Sequence, residues 1–199
     1  RLKIGKQLFA GEGPKIIENF NKQGFDIFLD LKLHDIPNTV YKAMKNLLNH
    51  KVWMINIHLL GGEEMIQAAK EARETSNSEA LLVGVSVLTS LNERNIKNMG
   101  FNMEISELVK TLCMNAKQNN IDGVVSSVIE VPEIKKNFGE DFITVTPGIR
   151  VQQKNDDQSR VATLEDAIKN GSDYIVLGRE MTASENISKM IKKIESYII

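Results

Sequence analysis

The sequence predicts an α/β fold in which strand–helix units repeat around a parallel sheet. Two observations carry that expectation. Short runs rich in β-branched residues alternate with amphipathic helical stretches from one end of the chain to the other, and the strand comes first in each unit. No GxGxxG or GxxxxGK[ST] loop follows any strand, which removes the commonest reason to prefer a doubly wound, nucleotide-binding sheet. Alternation by itself fits an open sheet and a closed barrel equally.

In chain order, strands are expected at residues 2–4, 26–31, 53–58, 81–87, 123–126, 142–146 and 174–177. A helix is expected after each, at residues 14–22, 38–48, 63–74, 105–119, 132–137, 164–169 and 184–196. The first strand is Leu2-Lys3-Ile4, and Arg1 opens directly into it with neither an initiator Met nor a lead-in, so the loss of something upstream is expected. Phe28 and Leu29 mark the second as a buried strand. The third helix sets Met65, Ala68, Ala69 and Ala72 against Glu64, Lys70, Glu71 and Arg73, the pattern of a helix with one face on a sheet. Residues 152–160 read QQKNDDQSR, a polar run suited to a mobile loop over a site.

At 199 residues with 42% apolar content, the chain can bury one sizeable core, and a single domain over residues 1–199 is expected. Lys and Arg total 25 against 26 for Asp and Glu, and no basic block offers a surface to nucleic acid or membrane. No apolar run approaches the ~20 residues that a membrane helix needs. Cys113, the single cysteine, excludes an intrachain disulfide framework and a zinc–thiolate cluster, which fits a reducing cytoplasm.

The sharpest chemical signal is Asp30-Leu31-Lys32, followed by Asp35, at the C-terminal end of the second strand. Side chains two apart on a strand face the same way, so Asp30 and Lys32 are expected to share the interior. In a barrel, strand ends build the active site. Burying a lysine is costly unless carboxylates hold it, and flanking carboxylates keep it an ammonium. A fixed ammonium stabilises negative charge developing on carbon and can protonate it without moving, so decarboxylation leads the candidate reactions. A surface salt-bridge cluster is the plainer reading of the same string.

A second signal lies at the last two strand ends, where Thr146-Pro147-Gly148-Ile149-Arg150 and Gly178-Arg179 each pair a glycine with an arginine. Glycine lets backbone N–H groups approach an anion, and arginine offers forked donors that match phosphate oxygens. Ordinary turns with exposed arginines are the alternative. His58 ends a strand before Gly61-Gly62 and reads as structural more readily than as a base. His34 is placed to orient Lys32 or Asp35, and His50 is expected to face solvent. None of the three supports a metal site, and neither metal nor cofactor is expected.

The run Asp30-Leu31-Lys32-Leu33-His34-Asp35-Ile36-Pro37-Asn38-Thr39 resembles the signature of the orotidine 5'-phosphate decarboxylase family. Leu2-Lys3-Ile4-Gly5, Val87-Leu88-Thr89-Ser90, Thr146 to Arg150, Asp157-Gln158 and Gly178-Arg179 continue the likeness in family order over nearly the whole chain. The resemblance implies a (β/α)8 TIM-type barrel that needs no cofactor, here lacking its first strand and helix. It implies that Lys32 protonates C6 of the pyrimidine, with Asp30 beside the scissile carboxylate and Lys3 bridging toward the ribose. Asp35 and Thr39 would reach into a neighbouring subunit's site, which implies a homodimer with shared active sites. Thr89 would contact the base or its nearby hydroxyls, and Arg150, Gln158, Gly178 and Arg179 would hold the phosphate under a closing lid. Metal-dependent sugar-acid phosphate decarboxylases and hexulose phosphate synthases share the DxKxxD string and stand as one alternative. A non-catalytic phosphate-binding barrel remnant is another.

Overall fold

The structure, a computed structural model, describes residues 1–150 and 162–198, except for the side chains at 180 and 198. The polar run at 152–160, with Gln158 inside it, lies outside the described residues.

The chain runs β1 (Leu2–Gly5), α1 (Lys6–Glu12), α2 (Lys15–Asn21), β2 (Ile27–Leu33), α3 (Pro37–Leu48), β3 (Met54–His58), α4 (Glu63–Thr75) and β4 (Leu81–Val85). It continues through α5 (Glu93–Asn98), α6 (Ile105–Gln118), β5 (Gly123–Val125), α7 (Val131–Phe138), β6 (Ile143–Thr146) and β7 (Ile149–Arg150). The last elements are β8 (Ala162–Thr163), α8 (Leu164–Lys169), β9 (Tyr174–Ile175), α9 (Arg179–Thr182) and α10 (Ile187–Ile198). Each expected strand and helix has its counterpart. The short elements α1, α5, α9, β7 and β8 were not expected.

The described residues group into two compact units. The first comprises Arg1–Ser86 with Leu112–Gly123. Within it β1, β2, β3 and β4 lie side by side in chain order, all parallel. Ile27, Phe28, Leu29 and Leu31 of β2 are all buried, as a strand covered on both faces requires. Pro37 opens α3, where its fixed φ suits a first turn and its missing N–H costs no helical bond. Val40, Met44 and Leu48 then recur on its buried face. On α4 the buried residues are Met65, Ile66, Ala69 and Ala72, so Ile66 joins the expected stripe while Ala68 is only partly buried. Asp122 ties the ends of the unit together: it accepts a hydrogen bond from the Leu82 N–H at 2.6 Å and pairs with Arg73.

The second unit comprises Val87–Thr111 with Val124–Ile199. Here β6 and β9 pair in parallel, and the two-residue strands β7 and β8 form a small parallel pair of their own. Lys135, a buried lysine on α7, donates to Asp173 at 2.7 Å and to the carbonyls of Glu140 and Phe142. Asp173 also accepts from the Thr144 amide and hydroxyl, so the strand end and the helix are locked by one satisfied ion pair.

Candidate active site

The site in the first unit is built on three neighbouring strands. β1 supplies Lys3, β2 supplies Asp30 and Lys32, and β3 supplies Asn56 and His58. The parallel register sets Gly5 opposite Asp30, and a β-carbon on Gly5 would stand 3.4 Å from the Lys3 ammonium, at van der Waals contact. Lys3 Nζ lies 2.9 Å from Asp30 Oδ2, and Lys32 Nζ lies 2.5 Å from Asp30 Oδ1. The result is one buried carboxylate between two partly exposed ammonium groups.

Lys32 leaves ordinary strand geometry. Its φ is 50°, in the left-handed region that a non-glycine residue rarely occupies, and the β2–β3 register shifts between Leu29 and Leu33. Its backbone N–H donates to Asn56 Oδ1 at 2.7 Å, while Asn56 Nδ2 donates to Asp30 Oδ1 at 2.7 Å. Burial alone would raise the Asp30 pKa. The Lys3 charge, the Lys32 hydrogen bond and charge, and the Asn56 donor outweigh it, so the pKa lies below the ordinary carboxylate value. Asp30 is therefore ionised at neutral pH.

His34 and His58 stack, with ring centroids 5.3 Å apart and planes 23° from parallel. Burial, with His34, Lys32 and Lys6 as further causes, lowers the His58 pKa to about 4. His58 is thus neutral at physiological pH, and its Nδ1 accepts from the Leu60 N–H at 3.4 Å. His50 does not simply face solvent: its ring nitrogen lies 3.1 Å from Glu18 Oε1.

The other expected residues are placed as follows. Asp35 is exposed, and its carboxylate accepts from the Ile36 N–H at 2.7 Å. Asp30 is the carboxylate in contact with Lys32. Thr39 is exposed on the first turn of α3. In the second unit, Thr89 is partly buried just beyond β4. Arg150 is buried, and its guanidinium donates to the Ile149 carbonyl at 3.3 Å. Gly148 has φ 79°, a conformation that glycine adopts without a β-carbon penalty. Gly178 caps α9, and a β-carbon on it would meet nothing within 4 Å among the described residues. Arg179 begins that helix. Among the described residues, no group of three His, Cys, Asp or Glu side chains is arranged to hold a metal ion, and no helix is long and apolar enough to cross a membrane.

Sequence reasoning missed Asn56. The available signal was a polar residue on the strand Met54-Ile55-Asn56-Ile57, where a buried amide needs partners.

Comparison with known proteins defines the class first. The crystal structure of an orotidine 5'-phosphate decarboxylase from Lactobacillus acidophilus superposes with a TM-score of 0.86 at 35% identity, over 98% of this chain and 85% of that one. The fold is accordingly α/β of the (β/α)8 TIM type. A sequence model of the orotidine 5'-phosphate decarboxylase / HUMPS family matches residues 1–194, and the chain belongs to that family. An orotidine 5'-phosphate decarboxylase of Saccharophagus degradans is 48% identical over 195 residues, covering 98% of this chain and 82% of the relative. One of Carboxydothermus hydrogenoformans is 47% identical over 189 residues, covering 92% and 79%.

Proposed function

We propose that the chain decarboxylates orotidine 5'-phosphate to uridine 5'-phosphate in pyrimidine synthesis, a carboxy-lyase reaction. The observation that carries this reading is the Lys3–Asp30–Lys32 array, in which an ionised carboxylate holds two ammonium groups at fixed positions. In the reaction the bond between C6 and its carboxylate breaks, CO2 leaves, and the electron pair stays on C6. Lys32 stabilises that pair through its charge and then gives it a proton, after which solvent reprotonates the amine. Asp30 sits beside the departing carboxylate and keeps Lys32 charged until transfer. Lys3 reaches toward the ribose.

Thr89 contacts the base or its nearby hydroxyls, while Arg150, Gln158, Gly178 and Arg179 hold the phosphate. The lack of described atoms within 4 Å of a β-carbon on Gly178 and the left-handed turn at Gly148 support close approach of an anion to backbone N–H groups. Phosphate binding remote from the reacting carbon supplies energy for assembling the charged site. Asp35 and Thr39, exposed here, serve the site of a second copy in a homodimer. Ile36, between them and 66% exposed, supports an interface on that face. The whole chain acts as one domain, in the cytoplasm, with no cofactor.

The test is loss of orotidine 5'-phosphate absorbance with excess chelator present. Turnover that persists in chelator is expected. Turnover abolished by chelator would favour the metal-dependent relatives, and binding without turnover would favour a ligand-binding barrel.

A further inference from the structure

On β3, Asn56 makes two hydrogen bonds that meet at the reacting lysine. Its side chain is fully buried, so it cannot turn to water and depends on protein partners for its amide. The carbonyl end accepts from the Lys32 backbone N–H, and the amino end donates to Asp30 Oδ1. Asp30 Oδ1 is also the oxygen that the Lys32 ammonium contacts. The two ends of Lys32, backbone and side chain, are thereby joined through one amide and one carboxylate. Only one orientation of the amide serves both partners, because an N–H needs an acceptor and a carboxylate needs a donor.

The backbone explains why such a clamp is required. Lys32 sits at φ 50° where the strand register shifts, a conformation that persists only when the surroundings over-determine it. Aspartate in place of Asn56 would offer the acceptor but not the donor, and an apolar residue would offer neither. We infer that Asn56 is a positioning residue: it holds Lys32 in its left-handed conformation and aims the Asp30 carboxylate, so that the ammonium stands fixed for proton transfer. The kinetic consequence rests on the decarboxylation proposed above, whereas the effect on Asp30 does not.

Asn56→Ala and Asn56→Asp in the full chain test this, with folding followed by circular dichroism and the Asp30 carboxyl titrated by carbon NMR. In Asn56→Ala, kcat is expected to fall about 100-fold, the usual scale for losing one preorganised donor, while KM changes by less than about threefold. The Asp30 carboxyl titrates at higher pH than in the parent because it has lost a donor. Asn56→Asp loses at least as much at neutral pH and recovers part of its activity as pH falls and the new carboxyl takes up a proton. A folded variant with unchanged kcat and unchanged Asp30 titration overturns the inference. So does loss of folding in both variants, which makes Asn56 a packing residue alone. A parent chain without turnover would sink the decarboxylation reading and leave the Asp30 titration to decide the role of Asn56.

Discussion

At the scale of single residues, charge state follows from neighbours. Asp30 is buried enough to resist ionisation, yet two ammonium groups and the Asn56 donor more than reverse that resistance. Its folded pKa is depressed, so the stability that it contributes is present above the ordinary carboxylate pKa and is lost as pH falls through the folded value. His58 is a base whose folded pKa of about 4 lies below its ordinary 6.5. Below about pH 6.5 the unfolded chain takes up that proton while the folded chain does not, so stability falls as pH drops toward 4. The urea midpoint is expected to decline between pH 7 and pH 5, and the decline to shrink in His58→Gln. An unchanged pH dependence in that variant would refute the assignment. Asp30 and Lys32 were legible in the sequence as a carboxylate and a lysine two apart at the end of an apolar run, although the left-handed Lys32 means that plain strand alternation is not what joins them. Asn56 was not, because its partners lie 24 and 26 positions away and only the parallel register brings them together. The left-handed Lys32 was equally hidden, since nothing local in Asp30-Leu31-Lys32 requires a bulge.

At the scale of elements, the strands were legible because buried parallel strands need continuous apolar runs, and Ile27 to Leu29 or Met54 to Ile57 supply them around their polar members. The helix α1 carries no buried residue, contains Gly11 and so lacks the apolar stripe that a pattern search needs. The helices α5 and α9 span 6 and 4 residues, too short for periodicity to register. Packing between elements also leaves a testable mark. Gly84 on β4 meets the buried side chain of Leu59, and a β-carbon at Gly84 would stand 2.6 Å from Leu59 Cγ. Gly84→Ala is therefore expected to destabilise the chain by about 1–3 kcal/mol, read from the denaturant midpoint. An unchanged midpoint would mean that Leu59 moves aside freely.

At the scale of the whole molecule, the family places the chemistry, and the exposed Asp35, Ile36 and Thr39 pose the question of a second subunit. If Asp35 serves the neighbouring site, Lys32→Ala and Asp35→Ala enzymes are each nearly inactive, yet mixing equal amounts and allowing subunits to exchange restores activity. Half the dimers are then mixed and each has one intact site, so about a quarter of full activity returns. Recovery no greater than the sum of the separate variants would mean that each chain carries its own complete site.

The central claim is that Lys32 does the chemistry, and Lys32→Ala tests it most directly through two measurements on one protein: turnover of orotidine 5'-phosphate and binding of uridine 5'-phosphate. We predict that turnover falls by a factor on the order of 10⁴ or more, as expected when a proton donor and its charge are lost together, while the nucleotide still binds within about tenfold of the parent. Turnover by Lys32→Ala at the parent rate would contradict the account.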